Sequence, residues 1–102
     1  MSEYQIREGI VLDEICDRYV LISTEAARDK CAYIRKIDTI VAYYWDMMEQ
    51  GMSVDEMVKT ASEQFQDVGE EVLRKDIEEL IGQLKEGGYL LSDEELGTFN
   101  QN

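Results

Sequence analysis

The first third of the chain has the apolar and polar spacing of β-strands. Residues 9–15 and 18–23 are rich in β-branched and aromatic side chains, and the intervening Cys16 and Asp17 suit a tight turn, so a hairpin is predicted. A third strand is predicted over residues 31–37. Neither of its faces is cleanly apolar, a pattern that the edge of a sheet tolerates better than its centre.

The spacing then becomes helical. A first helix is predicted after Asp38, whose carboxylate is expected to accept hydrogen bonds from the first turn. Ser53 and Glu56 have the spacing of a capping box that opens a second helix. A third helix is predicted over residues 70–86.

Apolar side chains follow each predicted helix at helical spacing and form the candidate core. They are Ile40, Val41, Tyr44, Trp45, Met47 and Met48 in the first helix, Val54, Met57, Val58, Ala61 and Phe65 in the second, and Leu73, Ile77, Leu80, Ile81 and Leu84 in the third. In the first helix they cover most of the circumference, which is typical of a buried central helix. We interpret its aromatic and methionine side chains as core rather than as a ligand platform.

This order of elements predicts an α+β fold, winged-helix-like, with a three-stranded antiparallel sheet followed by a three-helix bundle. The 102 residues suffice for one domain, placed at residues 1–91. Gly87-Gly88 is expected to end the third helix, and residues 89–91 to return to the core. Residues 92–102 are predicted to be a polar, flexible tail.

Charge narrows the possible partners. The formal net charge is −13, which argues against binding to DNA or RNA because phosphate contacts dominate such binding. Four cations nevertheless fall within nine residues, namely Arg28, Lys30, Arg35 and Lys36, so the third strand lies in a locally basic patch. No segment is long and apolar enough to span a membrane, and no signal peptide is evident, so a cytoplasmic protein without a membrane partner is expected.

The sequence offers little catalytic chemistry. It contains no histidine, no phosphate-binding loop and no CxxC pair, and its acidic clusters are consecutive rather than convergent. Cys16 and Cys31 are expected to be free thiols. We therefore predict no catalytic residue, no metal ligand and no cofactor.

Several segments in order resemble the PqqD family, whose members are also called RiPP recognition elements (RiPP: ribosomally made, post-translationally modified peptide). They are "YVLIS" (residues 19–23), "IDTIVAYYWDMMEQG" (37–51), "MSVDEMVKTASEQF" (52–65) and "DIEELIGQLKEGGYL" (76–90). The resemblance covers residues 6–91. Asp38 replaces the family's asparagine and keeps its capping ability. Thr24-Glu25 replaces the Pro-Glu of PqqD proteins proper, which speaks against a role in pyrroloquinoline quinone synthesis itself.

The resemblance implies a non-catalytic chaperone that binds the leader of a precursor peptide and presents it to a modifying enzyme. That enzyme would be a radical S-adenosylmethionine (SAM) protein or a leader protease. In this family the leader is added as a strand against the third strand, beside the third helix. The residues expected to bind it are Ala32, Tyr33, Ile34, Arg35 and Lys36 on the strand and Leu73, Lys75, Asp76, Ile77 and Ile81 on the helix.

Chemistry suggests roles for these residues. The two cations of the strand, assisted by Lys75, are expected to pair with carboxylates of the leader. Leu73 or Ile81 is expected to stay partly exposed, because the apolar stripe of the third helix is too wide for one narrow seam. Asp76 either orients the third helix or accepts a hydrogen bond from the leader.

The sequence is compatible with other functions. The same edge would serve an adaptor domain that binds another protein. A winged-helix DNA-binding regulator is disfavoured by the acidic helices, and an enzyme by the missing catalytic groups. A monomer or a strand-swapped dimer is expected.

Overall fold

The computed structural model describes residues 4–24, 27 and 34–99, with residues 98 and 99 described by their backbone alone. Three strands form one antiparallel sheet in the order β1-β2-β3: β1 (Ile10–Ile15), β2 (Arg18–Ser23) and β3 (Ile34–Ile37). The predicted hairpin and third strand are confirmed over these ranges. Residues 31–33, which the sequence assigned to the third strand, lie outside the described residues.

A two-residue turn joins β1 to β2. Cys16 and Asp17 both have positive φ, at 50° and 64°, which is the backbone of a type I′ hairpin turn. This turn matches the right-handed twist of the strands that it connects. Its register pairs Ile15 with Arg18 and continues to Ile10 with Ser23.

Three helices follow as predicted: α1 (Thr39–Glu49), α2 (Val54–Gln64) and α3 (Glu70–Glu86). The capping box of α2 is confirmed, since the Ser53 hydroxyl accepts from the Glu56 N–H and the Glu56 carboxylate accepts from the Ser53 N–H. Asp38 occupies the N-cap position of α1, but its side chain makes no capping hydrogen bond, so that part of the prediction is wrong. After α3, Gly88 takes a positive φ of 87°.

The core lies between the helices and one face of the sheet. Its central side chains are Leu21, Trp45, Met57, Ile77 and Leu90, each with an exposed fraction of 0%. Both Tyr89 and Leu90 return to this core, as predicted.

The end of the chain differs from its prediction. Asp93–Phe99 forms a fourth helix, α4, where a flexible polar tail was expected. Ser92 and Glu95 make a second capping box, with hydrogen bonds of 3.0 and 3.1 Å. Arg7 donates to the Glu95 carboxylate at 2.7 Å and to the Gly88 carbonyl, so the N-terminal segment fastens α4 to the end of α3.

Replacing Glu95 with glutamine is expected to lower stability near neutral pH by up to about 1 kcal/mol, because the carboxylate is partly exposed. The hydrogen bond from Arg7 is the main cause that lowers the pKa of Glu95 from 4.5 to about 2. A lowered folded-state pKa stabilises the fold above pH 4.5, and that stabilisation is lost as the pH falls towards 2. Urea unfolding of both proteins across this range should therefore show a difference that disappears in acid. An equal difference at every pH would contradict the assignment.

Among the described residues, no helix is both long and apolar enough to cross a membrane.

Candidate functional site

The hydrogen bonds of the sheet determine which groups its edges expose. The Thr24 N–H donates to the Gly9 carbonyl at 2.8 Å, one step beyond the register of β1 with β2. Bonding alternates along an antiparallel pair, so even-numbered residues of β2 bond towards β1 and odd-numbered residues bond towards β3. The pairs Tyr19–Ile37 and Leu21–Arg35 are therefore the hydrogen-bonded pairs between β2 and β3.

It follows that Ile34 and Lys36 direct their N–H and C=O groups away from the sheet, to the free edge of β3. Within the described part of the chain β3 is the last strand of the sheet, so another extended segment can pair with these groups. Their side chains lie on the outer face of the sheet, away from the helices. Arg35 and Ile37 direct theirs to the inner face, which they share with the buried Leu21.

A shallow cavity of about 170 Å³ lies beside this edge, between β3, α1 and α3. Its lining residues are Arg35, Lys36, Ile37, Asp38, Val41, Leu80, Gln83 and Leu84. We call this cavity, together with the free edge of β3, the β3–α3 groove. Its floor is aliphatic and its strand side is cationic, which suits an extended peptide with apolar and acidic side chains.

Arg35 spans the groove towards the end of α3. Its guanidinium carbon lies 5.6 Å from the centroid of the Tyr89 ring, close enough for a cation–π interaction. A Cβ placed on Gly87 would lie 3.0 Å from Arg35 Nη1 and 3.1 Å from the Tyr89 ring. Because Gly87 has no side chain, the Arg35 guanidinium has room beside it. A cation at this position also interacts favourably with the negative end of the α3 helix dipole.

The partial exposure predicted for the apolar wall on α3 is wrong, whereas binding of the leader by Leu73, Ile77 and Ile81 stays a prediction. Leu73, Ile77 and Ile81 have exposed fractions of 3, 0 and 6%, so neither Leu73 nor Ile81 stays partly exposed in the groove. The spacing of these residues, with Leu84, is that of one continuous stripe, and this stripe packs into the core. Leu80 lies at the edge of that stripe, about 100° around the helix from Ile81; it packs partly against the core and also lines the groove.

The two polar positions on α3 are exposed but lie outside the cavity lining. Asp76 is close enough to Tyr44 on α1 to affect its titration: burial raises the pKa of Tyr44 most, followed by Tyr43 and then Asp76. Asp76 lies on α3 one turn before Leu80. Its role and that of Lys75 stay predictions.

Ala32 and Tyr33 lie outside the described residues. Six lining residues are absent from the predicted list of binding residues: Ile37, Asp38, Val41, Leu80, Gln83 and Leu84. Leu80 was assigned to the core stripe and gave no separate signal, because helical spacing places it beside Leu73 and Leu84. Val41 gave no signal, because α1 is apolar around most of its circumference.

The other edge of the sheet provides a contrast. β1 is also an edge strand, and its charged side chains are those of Asp13 and Glu14, whereas the charged side chains of β3 are those of Arg35 and Lys36. An acidic peptide would be repelled at β1 and attracted at β3, because side chains on adjacent strands lie within about 5 Å of each other.

No cluster of three His, Cys, Asp or Glu side chains able to hold a metal occurs in the described part of the chain. Cys16 is a free, exposed cysteine.

Comparisons with known proteins agree with this architecture. The solved structure of TbiB1 in complex with the TbiA(beta) leader peptide superimposes with a TM-score of 0.71 at 18% identity, over 85% of this chain and 94% of that chain. At this identity the likeness establishes the fold. None of the curated proteins matches the sequence. The family model described as Coenzyme PQQ synthesis protein D (PqqD) matches residues 20–90, well over half of the chain. The chain therefore belongs to the PqqD family.

Proposed function

We propose that this protein is a non-catalytic chaperone that binds the leader of a ribosomally made precursor peptide as a fourth strand along β3. The observation that carries the proposal is the free edge of β3 beside an aliphatic cavity, in a member of the PqqD family. TbiB1, which shares the fold, was solved with a leader peptide bound. The leader would then be presented to the enzyme that modifies or cleaves the precursor, a radical SAM protein or a leader protease.

Backbone pairing supplies the part of the affinity that does not depend on leader sequence. Ile34 and Lys36 offer two N–H and two C=O groups at the edge, by the alternation described above. Each hydrogen bond contributes about 0.5–1.5 kcal/mol net. Four such hydrogen bonds do not compensate for the conformational entropy that a flexible peptide loses on binding. Side-chain contacts must therefore provide the remaining binding free energy.

The cavity supplies an apolar anchor. Its volume of about 170 Å³ is comparable to the roughly 150 Å³ of an engineered protein cavity that accommodates benzene. One aliphatic or aromatic side chain of the leader would contact Val41, Leu80 and Leu84 there. Full burial of such a side chain contributes about 1.5–3 kcal/mol.

Charge supplies selectivity. The cations on β3 favour a leader with an acidic residue next to its apolar anchor, and the carboxylates on β1 disfavour the same peptide at the opposite edge. Attraction between complementary charges mainly sets the association rate and the choice of partner.

Catalysis is assigned to the partner enzyme rather than to this chain. The full sequence has no histidine, and Cys16 stands alone in an exposed turn.

The test is calorimetry with the synthetic leader of a short peptide encoded beside this protein's gene, at low and at high salt. We expect micromolar or tighter binding that weakens with salt. Absence of binding to every neighbouring leader would count against the proposal and favour an adaptor domain, whose partner protein would use the same edge.

Reversing both charges on β3, Arg35→Glu with Lys36→Glu, is expected to weaken leader binding about 10- to 100-fold, because attraction to the acidic leader becomes repulsion. Calorimetry at low salt measures the loss. The control is the single reversal Lys59→Glu at an exposed position on α2, away from the groove, compared also with Arg35→Glu and Lys36→Glu made singly, which change the net charge by the same amount. Equal weakening by the control, or leaders of reversed charge that bind equally well, would contradict the electrostatic part of the proposal.

A further inference from the structure

The outer face of the sheet, turned away from the helices, carries an unusual share of the exposed apolar surface. Six large apolar side chains of the described chain are exposed, and three of them, Val11, Ile15 and Ile34, lie on this face. Isolated exposed apolar residues are common on protein surfaces, but contiguous ones indicate an interaction site.

The strand register joins two of these side chains, Val11 and Ile34, into one apolar row. Val11 pairs with Ile22, and Ile22 pairs with Ile34, so one row across all three strands is apolar. Val11 and Ile34, at its two ends, are exposed to 48 and 52%. Val20 lies in the next row, at the centre of the face, and its exposed fraction is 5%.

The row through Val20 carries opposite charges at its two ends. Asp13 pairs with Val20 on one side, and Lys36 pairs with Val20 on the other. Consider two such faces packed together about a two-fold axis that runs parallel to β2. Strand β1 of each then lies over β3 of the other, and each Asp13 meets a Lys36 of the second copy. The face is therefore complementary to itself.

The apolar row is complementary in the same arrangement. Val11 of one copy faces Ile34 of the other, and the two Ile22 side chains meet at the axis. Two Arg18 side chains also approach each other, but at the rim of the face, where water screens their repulsion.

The distribution of charge over the described residues favours this arrangement over others. Those up to residue 38 hold five carboxylates and four cations, whereas those from residue 39 onwards hold fifteen carboxylates and four cations. Contact through the sheets brings together the nearly neutral parts of two molecules and leaves the acidic helices on opposite sides. Contact through the helices would oppose two strongly negative surfaces.

We propose that a second copy of this chain packs on the outer face of the sheet, giving a face-to-face dimer with β1 of each copy over β3 of the other. Three short strands offer an area below that of a permanent dimer, so the association is reversible, with a micromolar or weaker dissociation constant. The dimer leaves the free edge of β3 open in both copies. Dimer formation therefore does not depend on leader binding, and an experiment can refute the dimer without refuting leader binding along β3, or the reverse.

Sedimentation velocity from low micromolar to near-millimolar protein tests the proposal. We expect a rising dimer fraction in the unmodified chain and a monomer at all concentrations for Val11→Asp. Asp13→Lys alone should also give a monomer, and Asp13→Lys combined with Lys36→Asp should restore the dimer, because the two charges exchange places. Circular dichroism checks that each variant is folded.

Other results would overturn the proposal. One is a monomer at every concentration, and another is a dimer that Val11→Asp leaves unchanged. A dimer that added leader dissociates would be joined through the β3 edges instead. Leu80→Asp, which alters the groove and not the outer face, should leave the dimer intact.

Discussion

Replacing Leu80 with aspartate is expected to weaken binding of the leader peptide about a hundredfold or more while the protein stays folded. Leu80 is partly exposed and lines the β3–α3 groove, so the change removes an apolar contact that contributes about 1.5–3 kcal/mol and places a carboxylate next to an acidic ligand. A hundredfold change in affinity corresponds to about 2.7 kcal/mol. Calorimetry with the same synthetic leader measures the loss.

The control for this variant is Val11→Asp. It introduces the same charge at another exposed aliphatic side chain, on the outer face of β1 and away from the groove. Its leader affinity is expected to match that of the unmodified protein, while its dimer is lost. Leu80→Asp should do the opposite. If both variants lose leader binding equally, net charge rather than the groove controls the affinity. If neither does, the leader binds elsewhere.

Local sequence signals predicted most of the secondary structure. The helical spacing of Leu73, Ile77, Ile81 and Leu84 gave the bounds of α3 correctly, because one apolar stripe with a glycine after it leaves little choice of register. The Ser53–Glu56 capping box correctly predicted the start of α2, because its two hydrogen bonds join residues only three apart in sequence.

The fourth helix depended on contacts distant in sequence. Seven residues are too few to be helical alone in water. Arg7, 88 residues away, supplies the partner that holds Glu95 in place. The Ser92–Glu95 spacing was nevertheless a readable signature of a helix start, and the acidic composition obscured it.

The groove residues could be predicted only in part. The edge strand and its cations followed from the imperfect alternation of residues 31–37 and from the family resemblance. The side of α3 that lines the groove depends on where β3 lies against that helix, and hydrophobic spacing carries no information on this lateral position. A stripe of four core residues and a fifth apolar residue beside it look alike in sequence. The structure separates them, with Ile81 inside and Leu80 at the groove.

Alanine variants at two adjacent residues test whether Ile81 lies in the core and Leu80 at the groove. Ile81→Ala is expected to lower the free energy of unfolding by about 2–5 kcal/mol, because Ile81 is 6% exposed and its truncation leaves a cavity in the core. Leu80→Ala should cost less than half as much, since Leu80 is partly exposed in the folded protein already. Urea unfolding followed by the fluorescence of Trp45, the one tryptophan of the chain and fully buried, measures both changes.

Leader binding by the same two variants completes the test. Ile81→Ala should retain its affinity at temperatures where it remains folded, because the residue supports α3 from the core side and does not contact the leader. Leu80→Ala should lose affinity at nearly unchanged stability. The reverse pattern, a stable Ile81→Ala protein that no longer binds, would return the peptide site to the residues that the sequence first indicated. Since these neighbours differ in direction around α3, the pair of variants identifies which side of the helix the peptide contacts.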